Sequence, residues 1–264
     1  MNRIDRKFRL LKKLHKKALI AYVTAGDPNA MTTGSIVLSL EKQGVDIVEL
    51  GIPFSDPIAD GPTIQAASQR ALKRGMSLKK SFLLVEKIRR SSEIPLVFMT
   101  YFNPVLRYGL QKFFRNCSGL GVDGVIIPDL PCEESREVSR LGKSSGVSTI
   151  FLVAPTSGLK RIKMICRNST GFIYYVSLTG VTGARTELPD DIFRQVKRIK
   201  SVTSKPVAVG FGISTATQAA KVACAADGVI IGSAIVKLIA GGKKSVVKVS
   251  RFAKTLARAV HGQK

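Results

Sequence analysis

The chain is short of acid. Its 264 residues include 18 Asp and Glu against 42 Lys and Arg, a formal charge of +24. No acid follows Asp227, whereas Lys237, Lys243, Lys244, Lys248, Arg251, Lys254, Arg258 and Lys264 do. A surface of that sign attracts nucleic acid, anionic membranes or an acidic partner. No aromatic-rich single-strand platform, zinc finger or RNP motif accompanies the charge, so a solvated basic face is preferred and nucleic acid is not expected as a partner. Histidine is scarcer still. His15 and His261 stand at opposite ends of the chain, which argues against a Ser-His-Asp triad or a His-based metal site. Cys117, Cys132, Cys166 and Cys224 are far apart and form no CxxC pair. Zinc-ligand spacing is absent and a disulfide framework is not expected. The four read as reduced thiols, with Cys166 and Cys224 on helices. No apolar run approaches the roughly 18 residues needed to cross a bilayer, so a soluble protein with no membrane partner is expected.

What is present is a globular composition, 45% hydrophobic and 23% charged, enough for one sizeable core. No linker divides the chain, so residues 1–264 are read as one domain. The first 17 residues carry eight basic side chains and one acid, Asp5. A transit peptide has that balance too. The economical reading is a helix covering the bottom of the fold, with Phe8, Leu10, Leu11 and Leu14 as its apolar stripe.

Short β-branched runs then alternate with helical stretches. Strands are expected over 19–26, 45–53, 95–102, 124–131, 148–155, 171–178, 206–213 and 228–235, and amphipathic helices over segments such as 77–91, 133–144, 190–200 and 215–225. Each strand is almost continuously apolar, as parallel strands buried on both faces are. Eight strand–helix units at this length predict an α/β fold, a single (β/α)8 TIM barrel with an extra N-terminal helix. A doubly wound open sheet is the alternative, disfavoured because no GxGxxG follows the first strand.

In such a barrel the chemistry sits at the C-terminal strand ends. Glu49 lies among Ile47, Val48, Leu50 and Ile52. A carboxyl there is poorly solvated, which raises its pKa and suits a proton shuttle near neutrality. The plainer alternative is a buried Glu satisfied by backbone or tyrosine hydroxyls. Asp56 and Asp60 share a loop with Pro53, Pro57, Gly61 and Pro62, where a lone aspartate is commonly a turn former. Asp27 reads as a turn or helix-cap residue, and Asp129 as a strand-end acceptor or an interior polar group. Gly212, Ser214, Gly232 and Ser233 follow the last two strands, where backbone amides and a helix N-terminus favour phosphate. The stretch TGVTGAR (179–185) could close over the same anion. No strand carries an internal lysine for a Schiff base. Carboxylate acid–base chemistry on a small phosphorylated substrate remains.

The segments VELGIPFSDPIADGPTIQ (48–65), AYVTAGDPN, MTYFNP, IIPDLP, YYVSLTGVTGAR and DGVIIGSAIVK together resemble the tryptophan synthase alpha subunit family over nearly the whole chain. The resemblance implies a (β/α)8 barrel that cleaves indole-3-glycerol phosphate to indole and glyceraldehyde-3-phosphate without a cofactor of its own. It implies Glu49 as the general acid–base and Asp60 as the carboxylate at the indole N–H. Tyr175 matches a tyrosine close to Glu49. Thr182 and Gly183 match a closing flap, with Thr182 bonding Asp60. Gly183, Gly212, Gly232 and Ser233 match phosphate contacts, and Tyr22, Met99, Ile127 and Phe211 match the indole pocket. Tyr22 stands where the family often has Phe, so its hydroxyl must find a partner or water. The resemblance also implies an α2β2 assembly with a pyridoxal-phosphate beta subunit, facing the loops at Pro53–Pro62 and near Asn103 and Pro104, with Asp56 at the interface. A cytoplasmic location follows, a plastid stroma being the alternative. The +24 charge departs from a family whose members are near neutral or acidic.

Overall fold

The computed structural model describes residues 2–177, 191–210, 212–242 and 244–262. Nine strand segments appear in chain order: β1 (Ala18–Thr24), β2 (Ile47–Gly51), β3 (Leu96–Met99), β4 (Gly124–Ile126), β5 (Ser148–Ile150), β6 (Leu152–Val153), β7 (Ile173–Val176), β8 (Val207–Gly210) and β9 (Gly228–Ile231). They form one parallel sheet in the order β5-β4-β3-β2-β1-β9-β8-β7-β6. The two edge segments are consecutive in the chain, with only Phe151 between them, so the sheet curls into a nearly closed barrel. The expected fifth strand is therefore split. The physical reason is local: the Phe151 amide donates to the Ser169 hydroxyl at 3.2 Å instead of joining the ladder, while its carbonyl accepts Tyr174 N–H at 3.2 Å.

Helices surround this barrel. They are α1 (Arg3–Lys13), α2 (Ala30–Lys42), α3 (Pro62–Lys73), α4 (Leu78–Arg89), α5 (Phe102–Tyr108), α6 (Leu110–Leu120), α7 (Arg136–Ser145), α8 (Leu159–Asn168), α9 (Asp191–Lys200), α10 (Ala216–Ala223), α11 (Ser233–Ala240) and α12 (Ser245–His261). A 3-10 turn, Cys132–Glu134, precedes α7. Every expected helix is found within a few residues, while the ladder ends earlier than the apolar runs do. Beyond Ile126, for instance, the chain leaves the sheet, and both carboxylate oxygens of Asp129 accept the Phe102 amide at 2.9 and 3.1 Å. The expected strand-end acceptor role is the one observed.

Alternation sorts the strand side chains into two cores. Ile20, Ile47, Val97, Ile126, Ile150, Tyr174, Ala208 and Ile230 fill the interior. Leu19, Ala21, Val48, Leu50, Phe98, Val125, Ile173, Val207, Val209 and Val229 face the helices. The inner core is closed from below by α1, whose Ile4, Phe8 and Leu11 are buried. Phe8 packs on Phe172 at 5.8 Å between ring centroids. The expected stripe is corrected here: Leu10 and Leu14 are 50% and 53% exposed, because helical spacing from Phe8 and Leu11 runs back to Ile4. An Asn2–Asp5 capping box starts α1. Arg3 fastens it to Asp123 at 3.1 Å, and Arg89 holds the same carboxylate at 2.8 Å. None of the four cysteines is in a disulfide. Cys166 lies on α8 and Cys224 caps α10.

Candidate active site

Counting upward by two from the inner layer gives the residues at the barrel mouth. Glu49 follows Ile47 on β2, Tyr22 follows Ile20 on β1, and Met99 follows Val97 on β3. In the ladder Tyr22 stands opposite Glu49, and Val97 stands on the other side. Met99 packs with Tyr22, Ile64, Ala67 and Val236. Gly210 and Gly232 are the corresponding positions of β8 and its neighbour, two beyond Ala208 and Ile230.

Glu49 is 1% exposed. Its Oε1 has no hydrogen-bond partner among the described residues. A bare carboxylate in that environment is costly, so burial pushes the pKa up to about 8. The side chain carries its proton at neutral pH. The alternative of a Glu satisfied by neighbouring hydroxyls does not hold for that oxygen.

Asp60 ends the loop after β2 and directly precedes Gly61, the N-cap of α3. It is half-buried. Burial raises its pKa to about 6, opposed by the Tyr101 hydroxyl. At neutral pH it is mostly ionised. Burial raises the Tyr22 hydroxyl too, followed by the charges of Asp60 and then Glu49. The Thr24 hydroxyl donates to that of Tyr22 at 3.5 Å, a long and weak bond. Glu49, Asp60 and Tyr22 thus share one field, although Asp60 arrives on a loop.

Two sequence expectations are displaced by one residue. Tyr175 packs in the outer core, and burial then Asp191 raise its pKa to about 12. The tyrosine turned to the interior is Tyr174, whose hydroxyl is held up by burial and then by Glu49. Likewise Ile127 belongs to the outer core and Ile126 to the inner. Successive strand residues point to opposite faces, so only one of each pair can reach the site.

After β9, the strand on the other side of β1 from β2, Gly232 is the N-cap of α11 and no side chain caps that helix. Its first helical bonds run from Ile235 and Val236 amides to the Gly232 carbonyl, at 2.9 and 3.1 Å. The amides of Ser233 and Ala234 precede them in the turn. Gly212 has a φ of +75°, a conformation glycine tolerates. Ser214 is less available. Its amide and that of Thr215 donate to Gln218 Oε1 at 2.9 and 3.2 Å in the capping box of α10. Thr182, Gly183 and the rest of 179–185, with Phe211, lie outside the described residues.

Along the rim, Asp56 is exposed and accepts the Ser55 hydroxyl; Asn103 is exposed and Pro53 is buried. A cavity of about 260 Å³ lined by Phe54, Ser55, Asp56, Pro57, Ile58, Gln65 and Gln69 opens there. Asp27 closes the expected turn, its amide donating to the Thr24 carbonyl at 3.2 Å, but it is not the helix cap and its side chain has a further partner. It is 1% exposed and pairs with Arg70 through two bonds of 2.8 Å, while Asn29 caps α2. Sequence reasoning missed Tyr101, and of the two adjacent tyrosines on the sixth expected strand, Tyr174 and Tyr175, it assigned Tyr175 to Glu49. Tyr101 sat in a quoted motif, yet nothing in its neighbours signalled a contact with Asp60.

A parallel barrel whose mouth sets a protonated carboxyl and an ionised one at the same pH, beside an uncapped helix N-terminus, defines an acid–base enzyme of the (β/α)8 class. Comparison with known proteins narrows this. The family model for the tryptophan synthase alpha chain matches residues 8–261. A tryptophan synthase alpha chain of Thermoanaerobacter sp. (strain X514) is 52% identical over 242 residues, covering 92% of each chain. That of Geotalea daltonii is 46% identical over 258 residues, 97% of this chain and 98% of its own. The crystal structure of tryptophan synthase subunit alpha from Legionella pneumophila superposes with a TM-score of 0.91 at 38% identity, covering 98% of both chains. The chain belongs to the tryptophan synthase alpha chain family. Among the described residues no helix is long and apolar enough to cross a membrane, and no group of three or more His, Cys, Asp or Glu is placed to hold a metal.

Proposed function

We propose that this chain catalyses the alpha reaction, retro-aldol cleavage of indole-3-glycerol phosphate to indole and glyceraldehyde-3-phosphate, with Glu49 as proton shuttle and Asp60 as the fixed carboxylate. The neutral Glu49 carboxyl gives its proton to indole C3. Positive charge then spreads to the ring nitrogen. Asp60, accepting from that N–H, stabilises the cation more than the ground state. Glu49, now a carboxylate, takes the proton of the C3′ hydroxyl. As the O–H bond breaks, the C=O of the aldehyde forms. The electron pair of the severed C–C bond returns to the ring as indole. Glu49 ends protonated, ready for another cycle.

Substrate recognition is divided across the mouth. Tyr22, Met99 and Tyr174 form apolar walls for the ring, joined in this reading by Ile126 in place of Ile127. Gly232 and Ser233, with the helix dipole of α11, receive the phosphate together with Gly212. Thr182, Gly183 and Phe211 keep the flap, phosphate and pocket roles the resemblance assigns. The unit is the single barrel of residues 1–264. The scheme calls on no cofactor from this chain; pyridoxal phosphate belongs to the beta subunit. A related structure, 41% identical with a TM-score of 0.86, is described as part of the tryptophan synthase a2b2 complex of Pyrococcus furiosus. That supports a beta partner docking on the rim around Asp56 and Asn103. Ile58, 82% exposed there, is the apolar side chain such a partner covers; Pro53 then shapes the loop from within. Bacterial relatives support a cytoplasmic site of action and give the plastid alternative none.

The observation that carries the proposal is Glu49, a buried carboxyl without a partner for Oε1, in the same field as Asp60. Glu49→Gln is expected to bind substrate and release no indole. Near-normal indole release by that variant overturns the assignment.

A further inference from the structure

One tyrosine ties down the loop that carries Asp60 and has no part in the scheme above. Tyr101 is the N-cap residue of α5, is 4% exposed, and packs its ring 5.3 Å from that of Phe54. The Ala59 amide donates to its hydroxyl oxygen at 3.1 Å. An amide N–H can only donate, so the phenol is the acceptor there and keeps its single proton for another partner. Two carboxylates are near. Asp129 already receives the Phe102 amide on both oxygens. Asp60, the residue after Ala59, is the carboxylate whose charge acts more strongly on the Tyr101 hydroxyl.

The geometry points to Tyr101 as a positioning residue for the alpha reaction: it accepts the Ala59 amide, gives its proton to Asp60, and orients the Asp60 carboxylate toward the indole N–H. This rests on the role given to Asp60 above. Two further observations agree with it. Burial alone raises the Asp60 pKa, and the Tyr101 hydroxyl is what opposes the rise. Anchoring through Ala59 also fixes the backbone one residue before the carboxylate, in a loop where the Asp60 amide donates to the Pro57 carbonyl at 3.3 Å and the Gln65 side-chain amide donates to the Asp60 carbonyl at 2.8 Å. Other titratable groups in this field are Tyr22 of β1, raised by Asp60, and the more distant Glu49 and Tyr174. Asp129 faces Tyr101 from the β4 side.

The test is steady-state cleavage against pH for the whole chain and for Tyr101→Phe, Asp60→Asn and the double variant. A hydrogen bond to a charged group implies that Tyr101→Phe lowers kcat by about 10- to 100-fold, with KM changed by about three-fold or less. The acidic limb of kcat/KM moves up by about half to one pH unit. The double variant is no slower than Asp60→Asn alone. Wild-type kcat and an unmoved limb in Tyr101→Phe, with Asp60→Asn crippled, overturn the inference. Normal turnover by Asp60→Asn overturns the reading of Asp60 instead. If Tyr101→Phe does not fold, 3-fluorotyrosine at position 101 keeps the shape and strengthens the donor. It moves the acidic limb down, and an unmoved limb overturns the inference.

Discussion

A Cβ placed on Gly210 would lie 2.5 Å from the Tyr174 hydroxyl oxygen. The upper end of β8 is bare because β7 leans a tyrosine across it. The same relation joins Gly51 of β2 and Tyr22 of β1. The two bare positions leave room for two rings in the mouth, one opposite Glu49 in the ladder and the other on the same inner face.

Gly210→Ala therefore displaces Tyr174 without touching the fold elsewhere. Overpacking of this kind costs about 1–3 kcal/mol. The expected result is a folded protein with a somewhat lower denaturation midpoint and cleavage reduced by about ten-fold or more. Tyr174→Phe in that background restores part of the loss, since ring carbons at 2.9 Å remain in the way. Full activity in Gly210→Ala would show that Tyr174 has no fixed place in the site.

The proposed scheme requires Glu49 protonated and Asp60 ionised. Their pKa values of about 8 and about 6 set a window between them. kcat/KM should rise through about pH 6 as Asp60 loses its proton and fall through about pH 8 as Glu49 loses its own. A profile measured from pH 5 to 10 that stays flat contradicts both assignments.

The same shift has a signature in stability. Glu49 binds its proton more tightly in the folded chain, at about 8, than at the ordinary value of 4.5. Between those values the native state holds more protons than the unfolded one. The contribution is fully present below about pH 4.5 and is lost as pH rises to about 8. Gln at position 49 has no such loss. Glu49→Gln should gain on wild type as pH rises, by on the order of 4 kcal/mol between pH 5 and pH 9. Urea melts at pH 5 and pH 9 measure this; an identical difference at both would falsify the buried-acid account.

Arg70 on α3 and Asp27 after β1 form a two-bond pair, with the carboxylate 1% exposed. Removing the cation strands a buried charge. Arg70→Ala should cost about 2–4 kcal/mol, and Asp27→Asn added to it should recover part of that. Because α3 starts immediately after Asp60, substrate affinity should fall as well. Denaturation and KM for the single and double variants give both numbers.

Much of the fold was legible in order along the chain. Apolar runs located every strand, and Glu49 stood out as an acid inside one of them. The same runs concealed which face each residue takes. A strand buried on both sides has no polar beat of period two. Tyr174 and Tyr175, or Ile126 and Ile127, are equivalent until the ladder register is known. At α1 the polar residues between apolar ones gave a helix, but only packing against Phe172 showed that Ile4 belongs to its buried face and Leu10 does not.

Local chemistry written in the sequence determined the strand–helix rhythm, the rim motifs and the presence of a carboxyl in an apolar strand, because neighbours in the chain suffice to specify each. Tertiary structure alone decided the turn of Tyr174 toward Glu49, the break at Phe151 where the barrel closes, and the meeting of Tyr101 with Ala59 across 42 positions. Those depend on register, closure and burial, which arise only when distant segments share one interior and leave a carboxyl there without water.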